Sequence, residues 1–181
     1  KGNNIDKEEF QKEFYKHQEL SRTASAGMFK GGLVDHSEIA TKYHTATHLL
    51  HAALRKVLGT HVSQKGSNIT DERLRFDFSH PDKLIDEQLK QVEDLVNQKI
   101  SADIAVTRQE MPKAQALAEG AMAFFPEKYP EITSVYSIGD FSKELCGGPH
   151  VQSTGEIGRI KIIRQEAVSA GVRRIYATAI S

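Results

Sequence analysis

Residues 38–58 carry Ile39, Tyr43, Ala46, Leu49, Leu50, Ala53, Leu54, Val57 and Leu58 at steps of three and four, which predicts one long amphipathic helix. Ser37 stands where an N-cap is needed, and Gly59 where a helix stops. His44 and His48 lie inside this helix, one turn apart on one face, where a single ion reaches both rings. With 8 histidines in 181 residues such a spacing arises readily by chance, so the pair alone carries little. The only cysteine, Cys146, sits in Cys-Gly-Gly-Pro-His, four before His150, and the glycines permit a turn that aims both side chains at one point. Together the pairs supply four nitrogen and sulfur donors, the number and chemistry of a zinc site. The fold must then return a distant loop onto the helix. The plainer alternative is a core cysteine with surface or capping histidines. A zinc-protease helix carries Glu directly after its first histidine; here that residue is Thr45, which disfavours a protease.

Around this helix the pattern alternates between classes. Residues 6–21 read as a leading helix, with Asp6 and Glu9 as a capping box and Phe10 and Phe14 on one face, followed by a Gly-rich loop. Leu74, Phe76 and Phe78 alternate with Arg73, Arg75 and Asp77, a strand with one apolar face. Residues 82–101 form a second helix striped by Ile85, Leu89, Val92, Leu95, Val96 and Ile100, and 112–124 a third, Ala-rich one. Short strands are expected at 104–107, 133–138, 141–145, 158–163 and 172–179. Their links are often too short for parallel crossovers. The expected class is therefore α+β: a mixed, largely antiparallel sheet with helices packed on it, a two-layer sandwich. The division expected is 1–35, leading helix and loop, and 36–181, the metal-containing domain.

Three polar segments stand out. QKGSN at 64–68 is either a hairpin turn or a substrate-binding loop offering Gln64 and Ser67. Arg73, Arg75 and Asp77 share a strand face that is either solvated or a polar binding surface. Arg159, Lys161, Arg164, Arg173 and Arg174 make a solvated face, or a phosphate-binding patch if their strands pair. Such a patch is the only route to a nucleic-acid partner, because 24 basic and 24 acidic residues cancel. A single cysteine fits an intracellular compartment, and the absence of any 18-residue apolar run excludes a membrane-spanning helix.

HTATHLLHAALRKVLG, QKGSN, LRFDF, ELCGGPH, TGEIG and AGVRRI, in this order and spacing, resemble the editing domain of alanyl-tRNA synthetases, which is related to free-standing trans-editing proteins and to the threonyl-tRNA synthetase editing domain. The likeness runs over about residues 38–179. The aminoacylation motifs are absent, so the chain reads as the editing domain of a longer synthetase. The resemblance implies a cytoplasmic ester hydrolase that deacylates tRNA(Ala) mischarged with serine, and with glycine, a task required because an alanine site rejects neither strongly. It implies a Zn2+ cofactor on His44, His48, Cys146 and His150, and a pocket formed by Thr47, Gln64 and Ser67. Arg75, Asp77, Arg173 and Arg174 are the expected substrate-binding residues. The partners implied are the tRNA(Ala) acceptor end and the rest of the synthetase in cis, with no membrane and no DNA. The alternatives are a zinc-stabilised tRNA-binding module without catalysis, and threonyl-type editing of Ser-tRNA(Thr). The family usually has Thr where this chain has Pro149, so any contact through that side chain is in question. Whether the ion acts on water or only shapes the pocket stays open.

Overall fold

A computed structural model describes residues 37–180. The expected leading helix, its Gly-rich loop and the proposed boundary at 35/36 lie outside the described residues. Helix α1 (Glu38–Leu58) is followed by β1 (Gln64–Ile69), β2 (Leu74–Ser79), α2 (Asp86–Ser101), β3 (Val106–Pro112), α3 (Lys113–Ala118), β4 (Ile132–Ile138), β5 (Ser142–Leu145), β6 (Arg159–Ser169) and β7 (Val172–Ile180). The class is α+β. Its strands fall into two antiparallel sheets, one ordered β1-β2-β7-β6 and one ordered β3-β4-β5.

α1 begins where Ser37 Oγ accepts the Ala40 N–H at 3.2 Å, and it ends at Gly59, whose φ of 118° suits glycine. Every residue from Tyr43 to Leu54 is buried, because α1 touches α2, the larger sheet through β1 and β2, and the smaller sheet through β5. The main core joins Leu49, Leu50 and Leu54 of α1 to Val92, Val96 and Ile100 of α2 and to Leu74, Phe76, Phe78 and Ile175 of the larger sheet. Each of these side chains contributes roughly 1.5–3 kcal/mol by leaving water. A smaller cluster, Ala116, Ala121, Tyr129, Val135 and Leu145, packs α3 on the smaller sheet.

Five expectations shift. QKGSN is strand β1 rather than a turn, held by pairing with β2. The second helix starts at Asp86, and Ile85, read as part of its stripe, is 63% exposed just before it. The third helix stops at Ala118, with Gly120 at φ 83° turning the chain so that Met122 bridges to Glu144. The 104–107 strand runs instead from Val106 to Pro112, and the 158–163 strand extends to Ser169, because the long antiparallel pairings with β4 and β7 carry polar residues into the sheets.

Candidate metal centre

His44, Thr47, His48 and His51 fall on one face of α1 by helical spacing, and that face is buried. The loop after β5 meets it. Cys146 N–H donates to Ser134 O of β4 at 3.1 Å, and Glu144, two residues earlier, pairs with Tyr136 across β4 and β5. The smaller sheet thereby carries Cys146 and His150 to the helix. One donor atom from each of His44, His48, Cys146 and His150 lies within 4.8 Å of the others. Cys146 Sγ is 3.3 Å from His44 Nε2 and 3.5 Å from His150 Nε2. Ligands on a tetrahedral zinc sit roughly 3.4–3.8 Å apart, from bonds of about 2.0–2.3 Å, so these spacings fit the ion.

The far side of each ring is held. His44 Nδ1 donates to the Pro149 carbonyl at 2.9 Å, which leaves Nε2 a lone pair toward the sulfur. His150 Nδ1 is 3.0 Å from Thr45 Oγ1, which also accepts the Val151 N–H at 3.2 Å and donates to Thr41 O at 3.3 Å. Thr45, the residue that disfavours the protease reading, thus orients the His150 ring. His48 Nδ1 faces Glu144 Oε2 at 3.2 Å, and the other oxygen of Glu144 meets His51 Nδ1 at 3.2 Å and Ser142 Oγ at 3.0 Å. Glu144 is 1% exposed and was not foreseen; its sequence signal is a carboxylate beside the cysteine motif.

The electrostatics point the same way. Burial, reinforced by His48, holds His44 down at about 3, and burial holds His150 well below its usual range and lowers His48. All three rings are therefore neutral and able to ligate. Burial pushes the Cys146 thiol up to about 12, although the N–H groups of Gly148 and Gly147 point at its sulfur. A thiolate at this depth needs a cation beside it, and a divalent ion supplies one. Burial also opposes ionisation of Glu144, but His48, His51 and Ser142 outweigh it and keep its carboxyl below the ordinary range.

The remaining foreseen residues divide between two faces of the larger sheet. Thr47 Oγ1 donates to Tyr43 O at 2.8 Å, leaving its oxygen lone pairs on the histidine face of α1. Gln64 and Ser67, three apart, would oppose each other in a regular strand. A bulge between Gln64 and Gly66 sets them opposite Phe78 and Phe76, so both share the face that packs on α1, where Phe76 lies 5.6 Å from the His51 ring. Gln64 Nε2 donates to Ser67 Oγ at 3.2 Å. Arg75, Asp77 and Arg174 alternate onto the opposite face. There Arg174 grips Asp77 with two bonds of 2.6 and 2.8 Å, and the Tyr176 ring lies beneath Arg164 at 3.9 Å. Arg173 stands at the strand end, bonded to Gln165 at 3.3 Å. Strands β6 and β7 do pair, but no two basic residues stand opposite each other: Arg174 lies between Asp77 and Glu166, and Arg164 is opposite Tyr176.

Part of this region has known relatives. Residues 133–176, from β4 through the Cys-Gly-Gly-Pro-His loop to β7, match the family described as the threonyl and alanyl tRNA synthetase second additional domain. The chain is 60% identical over 176 residues to the alanine–tRNA ligase of Treponema denticola, a match covering 97% of this chain and 29% of that protein. Over nearly its whole length the chain is thus similar to one region of alanine–tRNA ligases. The alanine–tRNA ligase of Treponema pallidum is 55% identical over the same share of this chain, and that of Nitrosococcus oceani is 53% identical over 83% of it. The chain spans about three-tenths of the first relative's length, so it corresponds to one region of such a protein. Among the described residues no helix is long and apolar enough to cross a membrane.

Proposed function

We propose that this domain hydrolyses the ester of misacylated tRNA(Ala), removing serine foremost and glycine as well, with zinc held by His44, His48, Cys146 and His150. The observation that carries the reading is the buried three-histidine, one-cysteine set on the same side of the larger sheet as Thr47, Gln64 and Ser67, in a region similar to alanine–tRNA ligases. In the reaction a water oxygen bonds to the ester carbonyl carbon and the bond to the ribose oxygen breaks. The products are free amino acid and tRNA with its terminal hydroxyl restored, and one proton is released. Zinc, when bound, supplies positive charge that polarises and orients groups near it.

The chain's own residues do the rest. Thr47 Oγ1, with its proton committed to Tyr43 O, offers an acceptor to the attacking water or to a serine hydroxyl. Gln64 and Ser67 form a bonded pair whose remaining donors and acceptors read the amino acid. A site built to hydrogen-bond a hydroxyl discriminates far more strongly than one that senses a methyl, so this pair separates serine from alanine. Arg75, Arg173 and Arg174, with Asp77 fixing Arg174, hold the tRNA away from the ester, and the rest of the synthetase supplies further tRNA contacts in cis.

The test is deacylation of Ser-tRNA(Ala) and Ala-tRNA(Ala) at high domain concentration, with a tRNA(Thr) arm. Faster loss of serine than of alanine from tRNA(Ala) is expected. Loss no faster than in buffer would leave a zinc-stabilised binding module, and a preference for Ser-tRNA(Thr) would move the reading to threonyl-type editing.

A further inference from the structure

Of the four donors, His150 alone is half-buried while the other three are buried, so the centre is approached from the His150 side. That side is built by a row running across the smaller sheet. Arg108 of β3 pairs opposite Tyr136 of β4, which pairs opposite Glu144 of β5. Residues directly opposite share a face, so all three side chains lie on the face that Glu144 turns toward α1. The Tyr136 ring packs on the His150 ring, centroids 4.2 Å apart and tilted by 47°, and remains half-buried. Arg108 stands directly opposite Tyr136, and its side chain is 50% exposed. Its bonds to Glu110 and to Ser134 both leave from Nη2, one of the nitrogens that together carry five N–H donors. An aromatic ring against a ligand with an arginine at its outer end is the pairing that binds an unstacked nucleotide: the ring takes the base, and the guanidinium takes the phosphate.

We infer that Tyr136 and Arg108 form the subsite for the terminal nucleotide of the RNA whose ester reaches the centre, Tyr136 as the wall for the base and Arg108 as the partner of its 5′ phosphate. The inference rests on the RNA-ester reading above, and the experiment separates the two. Hydrolysis of Ser-tRNA(Ala) is compared with hydrolysis of the serine ester of adenosine, which lacks every phosphate, for the wild-type domain and for Arg108→Gln, Tyr136→Phe and Tyr136→Leu. Arg108→Gln raises KM for the tRNA about tenfold, the loss of one charged hydrogen-bonded contact, and leaves the adenosine ester unchanged. Tyr136→Leu lowers kcat/KM about five- to a hundredfold on both substrates, whereas Tyr136→Phe, which keeps the ring, stays near wild type on the adenosine ester. Metal content and the absorption spectrum of the cobalt-substituted protein stay unchanged in Arg108→Gln and Tyr136→Phe. Equal losses on both esters for Arg108→Gln, or no loss on tRNA, would overturn the phosphate assignment. Loss of metal in Tyr136→Leu with full activity per bound ion would reduce Tyr136 to a support for His150. If the wild-type domain hydrolyses neither ester, the functional reading fails. The subsite then stands or falls on whether the protein binds adenosine monophosphate more tightly than adenosine, a difference that Arg108→Gln erases.

Discussion

The two faces of the larger sheet treat their polar side chains differently. Toward α1, Gln64 and Ser67 lie on the histidine side, His44 and His150 are tied at their outer nitrogens to Pro149 O and Thr45 Oγ1, and His48 Nδ1 faces the Glu144 carboxylate. On the opposite face Arg174 and Asp77 satisfy each other, Glu166 joins Arg174 at 3.4 Å and takes the Tyr176 hydroxyl at 2.8 Å, and Arg73 and Arg164 lie over the Tyr176 ring. Burial is the reason for the contrast. The inner donors are sealed from water and can converge only if each outer atom has its own partner. On the outer face residues of opposite sign stand directly across from one another and pair.

The comparison breaks hardest at Cys146. Cys146→Ala removes one of four ligands, about a quarter of the ~10–16 kcal/mol typical of such sites, so metal affinity falls by at least about a hundredfold in chelator competition. Unchanged metal content would remove Cys146 from the ligand set. Glu144→Ala comes next: without the carboxylate the buried His48 and His51 nitrogens lose their partner, metal affinity drops about ten- to a hundredfold, and the melting temperature falls as well. A melting temperature that holds would mean water replaces the carboxylate fully.

On the outer face, Arg174→Ala strands Asp77 and destabilises the domain by about 1–3 kcal/mol in urea without touching metal content. If Arg174 also holds RNA, the salt dependence of tRNA binding becomes shallower by about one unit in the log–log slope. An unchanged slope would confine Arg174 to its ion pair.

Acidity tests the inner face through its histidines. His44 is neutral in the metal-free fold down to about 3 but gains its proton near 6.5 when unfolded, so the unfolded chain binds more protons between these values. Stability of the metal-free protein is therefore intact above pH 6.5 and lost progressively as the pH falls toward 3. Metal loading at neutral pH releases a proton from Cys146, whose thiol is otherwise pushed up to about 12. Calorimetry in buffers of different ionisation enthalpy reads that proton, and identical heats in all of them would exclude it.

The smallest effect is expected at Pro149→Thr. His44 is held by the carbonyl of residue 149, which both residues possess, so metal affinity should stay within about twofold. A large change would show that the ring itself shapes the loop.

The sequence made legible whatever local pattern alone determines. The α1 stripe and its Ser37 cap followed from spacing, and spacing with scarce residue types singled out His44, His48, Cys146 and His150, which the fold brings together. Glu144 was not legible, because a glutamate beside a cysteine motif is ordinary until the fold buries it against His48 and His51. The split of the strands into two sheets was hidden too, since alternation states which residues share a face but not which strand lies alongside. β1 was missed because QKGSNI has no apolar alternation, and only its partner β2 makes it a strand.

The bulge in β1 carries a consequence for how the domain tolerates change in chain length. Between Gln64 and Gly66 the strand holds one residue more than β2 requires, and that residue is Lys65. Deleting Lys65 would restore regular alternation with Gln64 and Ser67 two apart, still opposite Phe78 and Phe76 on the face toward α1. The core, the pairing with β2 and all four ligands would survive the deletion. The edge strand can therefore lose this residue and keep the carboxamide of Gln64 in the site, whereas drawing Lys65 into regular pairing would turn that carboxamide away.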